Sequence, residues 1–148
     1  MRSLGATKSL VERGLMTTRE IDGDERNALL RAAHEAAEQS YSPYSGVKVG
    51  AALRTASGRI WLGANIGNSC STLNCCAEQV AIVQAVLAKD YPFTAIAVVQ
   101  KMGPLCPPCG RCLQLLAEFS ENMNIVCLDR DTVVHWVRWT PSVGQESG

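Results

Sequence analysis

In "CCAEQVAIVQAVLAKDYPFTAIAVVQ" (residues 75–100), a run from Cys75 to Ala88 that is apolar nearly all round gives way, past Pro92, to "FTAIAVVQ". The first run predicts a buried helix and the second a strand. A helix feeding a strand begins a β-α-β alternation, and such alternation builds layers of helix against sheet.

Reading outward, "DERNALLRAAHEAAEQ" (24–39) sets Leu29, Leu30, Ala33, Ala36 and Ala37 along one stripe behind an acidic first turn, which predicts a helix. "SYSPYSG" breaks it at Pro43 and Gly46. "VKVGAALR" (47–54) and "IWLGANI" (60–66) then read as a hairpin across the turn "TASGR". Downstream, "CGRCLQLLAEFSEN" (109–122) carries Leu113, Leu116 and Phe119 at helical spacing, and "NIVCLD" and "TVVHWVRW" read as strands. The order predicts a layered α/β domain with a mixed sheet. Residues 1–21 lack a clear period and are expected to be a loosely held extension, of a composition compatible with disorder, before one domain over 22–148.

Composition narrows the function. The chain has 148 residues, 47% hydrophobic and 19% charged, enough for one core. Fourteen basic residues balance fourteen acidic ones, and no Lys or Arg occurs from Trp61 through Ala88, so a nucleic acid partner is not expected. No run of signal-peptide or membrane-spanning type is present, which predicts a cytoplasmic protein with no membrane partner. Seven cysteines there are better read as metal ligands, catalytic thiols and small core residues than as a disulfide framework.

Two of the expected helices open at cysteine motifs. Cys109 and Cys112, three apart at a helix start, can aim both sulfurs at one point, where backbone N–H groups favour thiolate. A lone C-x-x-C is also compatible with a redox pair or half of a structural zinc site. Cys76, in "CAE" at the earlier helix start, can supply a third thiolate, and three protein ligands with an open position is the arrangement of catalytic Zn²⁺. Glu78 is the only acidic residue between Glu38 and Asp90 and sits in an apolar helix. Its burial is costly unless used, and beside a metal it could move a proton between a bound water and a substrate. A non-catalytic zinc domain, closed by Cys106 or Cys75 as a fourth ligand, is the competing reading.

The pattern "CAE…PCGRC" matches the zinc nucleobase deaminase signature with a Cys₃ ligand set and a non-ligand glutamate. With "SYSPYSGVKVGAAL", "GANIGNS", "CAEQVAI" and "PCGRCLQLLAEF", the chain resembles the small cytidine deaminases from about residue 25 to about 140. The resemblance implies a cytidine-deaminase-like fold with a five-stranded mixed sheet flanked by helices, and a homotetramer. It makes Cys76, Cys109 and Cys112 the zinc ligands and Glu78 the proton shuttle in hydrolytic deamination of a free cytosine nucleoside, with ammonia released. The backbone around Ala77 and Pro107 is expected to hold the amide-like edge and the leaving group.

Three departures from the family pattern bear on the substrate. Asn65-Ile66-Gly67-Asn68 stands where N-x-E-N is typical, so Asn65 keeps one ribose contact and Gly67 forgoes the other, a loss of about 1.5–3 kcal/mol. Val47 replaces the aromatic that packs on the pyrimidine, and Ser71 replaces a tyrosine. Gln79 replaces the arginine of C-A-E-R, leaving Arg111 as the charge partner of the zinc thiolates. "CGRC" is also the form of blasticidin S deaminases, which keeps an aminonucleoside or another heterocyclic amine open as substrate. Cys70, Cys75 and Cys127 are expected as core or near-site fillers, His34 and His135 as packed or exposed, and Trp61, Trp136 and Trp139 in the core or an interface.

Overall fold

A computed structural model describes residues 21–103, 107–120, 122–129 and 132–138, the last strand by its backbone. The elements are α1 (Gly23–Ala37), β1 (Val49–Thr55), β2 (Ile60–Ala64), a 3₁₀ turn (Ser71–Leu73), α2 (Ala77–Leu87), β3 (Phe93–Gln100), α3 (Gly110–Glu118), β4 (Met123–Asp129) and β5 (Thr132–Arg138). They form one five-stranded sheet in the order β2-β1-β3-β4-β5. Only β3 and β4 run parallel; the other pairs are antiparallel. The mixed α/β sandwich expected from the sequence is therefore present.

α1 covers one face of the sheet and α2 with α3 the other. Ala52, Ala95, Ala97, Val99 and Val126 meet Leu29, Leu30 and Ala33 of α1. Ala51, Leu53, Ile96, Val98, Ile125 and Cys127 meet Ala81, Ile82 and Leu116 on the far side. The central strands are covered on both faces, so in β1 Gly50 through Leu53 are all buried.

Small residues set the distance between layers. A Cβ on Gly50 would strike the Ala33 carbonyl of α1, and one on Gly63 would strike the Ala77 carbonyl of α2. Each glycine admits a helix backbone directly onto a strand.

Element ends differ from expectation for local reasons. Asp22 accepts a hydrogen bond from the Glu25 N–H at 2.8 Å, which caps α1 and moves its start to Gly23. α2 starts at Ala77 because Cys75 exchanges two backbone hydrogen bonds with Ile66, at 2.9 and 3.0 Å. α3 stops at Glu118, where the Phe119 ring packs 5.5 Å from both Tyr91 and Phe93 and its carbonyl accepts from Phe93 N–H. Trp61 packs against the core and donates to Asp90 at 2.8 Å, with Arg59 stacked 4.4 Å over its ring. His34 is exposed. Residues 1–20 of the expected extension, Cys106, Trp139 and the side chains of His135 and Trp136 lie outside the described residues; Ile21 packs against the α1-side core.

Candidate metal centre and active site

Two helix starts bring the thiols together. Cys76 is the residue before α2, Cys109 the residue before α3, and Cys112 lies in the first turn of α3. Their sulfurs all lie within 4.8 Å of one another, and they form the one group of this kind among the described residues. In a tetrahedral site with Zn–S of about 2.3 Å, sulfurs stand ~3.8 Å apart, so the cluster needs only slight closure to fit Zn²⁺. Cys75 is not part of it.

The thiols are electrostatically unequal. Backbone N–H groups of Cys112 and Arg111 at the start of α3 pull Cys109 below its ordinary value. Burial pushes Cys76 and Cys112 up, and the neighbouring Glu78 adds to both shifts. A dication replaces those protons and reverses the burden.

Glu78, in the first turn of α2, is 5% exposed. Burial raises its pKa, while its own backbone N–H and the Cys112 thiol act against that rise. A carboxyl poised to hold a proton thus stands against the thiol cluster.

Both open onto a cavity of about 240 Å³, at the small end of ligand sites. Cys76, Ala77, Glu78, Pro107 and Cys109 form the metal side. Asn65, Ile66 and Gly67, with Asn74 and Cys75, form the opposite wall, and Ser45 and Val49 complete it. Neither Lys, Arg nor His lines it among the described residues. Of the expected substrate-side residues, Asn65, Gly67, Ala77 and Pro107 are here. Val47 is not; it is 37% exposed, and Val49 lines the cavity instead.

Hydrogen bonds give Asn65 a building role. Its Oδ1 accepts from the Ser40 hydroxyl at 2.5 Å and from Val49 N–H at 2.8 Å, and its Nδ2 donates to the Val47 carbonyl at 2.8 Å. One N–H is left for a ligand. Gly67 N–H is also engaged, with the Tyr41 carbonyl at 2.6 Å. The Arg111 guanidinium donates to Gln79 Oε1 at 2.7 Å. Sequence reasoning did not single out Ser45, Val49 and Asn74, whose only signal is proximity to the turn and cysteine motifs. Cys127 is buried in the core, Cys75 lines the cavity, and Cys70 is exposed, 3.1 Å from the Thr72 hydroxyl.

Comparison with known proteins bears on this geometry. The family model described as "Cytidine and deoxycytidylate deaminase zinc-binding region" matches residues 24–128. A cytidine deaminase of Sporosarcina psychrophila is 43% identical over 100 residues, which cover 68% of this chain and 74% of the relative. A probable cytidine deaminase of Dictyostelium discoideum is 34% identical over 112 residues, 75% of this chain and 76% of the relative. The crystal structure of cytidine deaminase from Burkholderia pseudomallei superposes with a TM-score of 0.69 at 37% identity, covering 77% of this chain and 91% of that one.

Proposed function

The chain belongs to the cytidine and deoxycytidylate deaminase zinc-binding family, and we propose that it hydrolytically deaminates a free cytosine nucleoside, cytidine or deoxycytidine, or a close analogue. The observation that carries this reading is the buried Glu78 sharing one small cavity with Cys76 and Cys109, two of three clustered thiols that can hold a metal.

Cys76, Cys109 and Cys112 would hold Zn²⁺, which when bound acidifies water and supplies the nucleophile for attack at C4. Glu78 accepts the proton that water loses and delivers it to ring N3. It then takes the remaining proton of the hydroxyl added at C4 and passes it to the amine, so that the C4–N bond breaks as the carbonyl forms and ammonia leaves. Burial supports this role by letting the carboxyl keep a proton at higher pH than an exposed one. Ala77 and Pro107 flank Glu78 and the thiols along the cavity wall, where their backbone groups can orient the amide-like edge and the amine.

The lining also favours a nucleoside over a nucleotide. A phosphate entering a cavity with no Lys, Arg or His among its described lining residues would lose hydration without gaining a cation from them. The homotetramer is part of the same proposal, supported by exposed Tyr41, Tyr44, Ile66 and Leu73 beside the cavity, surfaces that a subunit contact would cover. Cytoplasmic residence is supported by the cysteines among the described residues being free thiols, and by no helix there being long and apolar enough to cross a membrane.

Ammonia release from cytidine, deoxycytidine and deoxycytidylate, with bound zinc measured in parallel, tests the reading. Both nucleosides are consumed and the nucleotide is not. Glu78→Gln keeps zinc and loses about 10²–10⁴ in rate. A zinc-bound Glu78→Gln variant working at the wild-type rate would falsify the mechanism.

A further inference from the structure

The metal site is split between two helix starts. Cys76 arrives from α2, and Cys109 and Cys112 from α3. Each helix is tied to the sheet separately, α2 by its backbone approach at Gly63 and α3 by Leu116 in the core. That packing does not by itself fix the gap between the two starts to the tenths of an ångström that metal ligation needs.

One bond spans the gap. Arg111 Nη2 donates to Gln79 Oε1 at 2.7 Å. Gln79 stands one turn beyond Cys76, and Arg111 lies between Cys109 and Cys112. Apart from contacts of the thiols with one another and with Glu78, it is the one polar side-chain link between α2 and α3 among the described residues. The link joins a guanidinium N–H to an amide oxygen, so it spans the gap without drawing on the thiols themselves.

We propose that Gln79 and Arg111 form a clamp that holds the two helix starts at the spacing zinc requires. They are positioning residues whose task is retention of the metal. The clamp rests on zinc at Cys76, Cys109 and Cys112.

The test is transfer of zinc from the loaded protein to a chromogenic chelator, for wild type, Gln79→Ala, Arg111→Ala and the double variant, with the melting temperature of each metal-free form. Each single variant releases zinc roughly tenfold faster, the low end for groups that support metal ligands. The double variant releases it no faster than either single one, because all three lack the same bond. Arg111→Lys, which keeps a donor, recovers part of the retention. Metal-free melting temperatures stay within ~2 °C of wild type, since an exposed bond adds little to stability. Wild-type release rates in both single variants, multiplied effects in the double variant, or release matched by a lower metal-free melting temperature overturns the clamp. Chelator transfer reads the clamp whether or not ammonia is produced, so failure of the proposed reaction is told apart from failure of the clamp.

Discussion

Gly63→Ala tests whether the sheet positions the metal ligands. The added methyl would fall on the Ala77 carbonyl oxygen and 2.7 Å from the Ala81 nitrogen, both backbone atoms of α2. Ordinary contact with carbon needs ~3.3 Å or more, so α2 must retreat by roughly 1 Å. Overpacking costs 1–3 kcal/mol, and because rigid backbone is struck the upper end applies, about 3 kcal/mol. In a domain of this size that lowers the melting temperature by roughly 10 °C. The same displacement carries Cys76, adjacent to Ala77, away from Cys109 and Cys112, where ligand distances tolerate only about ±0.2 Å. Zinc transfer to a chelator should therefore quicken by at least about tenfold. Gly23→Ala is the control: its methyl meets only an Arg26 side-chain nitrogen at 3.8 Å, and loss of glycine freedom should stabilise by about 0.5 kcal/mol. A Gly63→Ala protein that melts within ~2 °C of wild type and keeps its zinc would show that α2 is not held by this approach.

Three further outcomes follow from the site and its surroundings. Burial raises the Glu78 pKa in the metal-free fold, so the native state binds more protons than the unfolded chain above the ordinary value of 4.5. Metal-free wild type should lose stability as pH rises through that window and the folded pKa, while Glu78→Gln lacks this slope; parallel melting curves across pH would contradict it. Asp90 is shifted the other way, held down first by the Trp61 indole N–H and also by Thr55 and Ser57. Its contribution is present above the ordinary carboxylate value and lost as pH falls through the lowered one. Asp90→Asn should flatten acid unfolding, followed by Trp fluorescence. Gly67→Glu would restore the carboxylate that the family resemblance assigns to ribose. Its Cβ would sit 3.3 Å from the Tyr41 carbonyl, a tight fit the loop can absorb, and KM for cytidine should fall about tenfold.

The layers were legible in the sequence where burial and period agree. Phe93–Gln100 is bounded by Pro92 and Lys101 and forms the strand expected, residue for residue. The thiol cluster was legible because two of its cysteines share one helix start and the third precedes another. Long-range hydrogen bonds leave no such periodic trace. Nothing near Cys75 announces its pairing with Ile66, and Arg111 meets Gln79 across 32 positions. Val47 sits one residue after Gly46 and beside the strand start, yet the backbone turns Val49 rather than Val47 to the cavity. That choice depends on the path fixed by Asn65, which no local spacing encodes.

The bonding of Asn65 divides the cavity wall into positions that can drift and one that cannot. Its amide pins Ser40, Val47 and Val49 together, so exchanging it breaks three hydrogen bonds to two segments at once. Ile66 and Gly67 enter the same wall through backbone hydrogen bonds that most residue types can make. Their side chains are free to vary while the scaffold stays sewn. A change of substrate range in this chain's descendants, or in a designed library, has its cheapest route at residues 66 and 67.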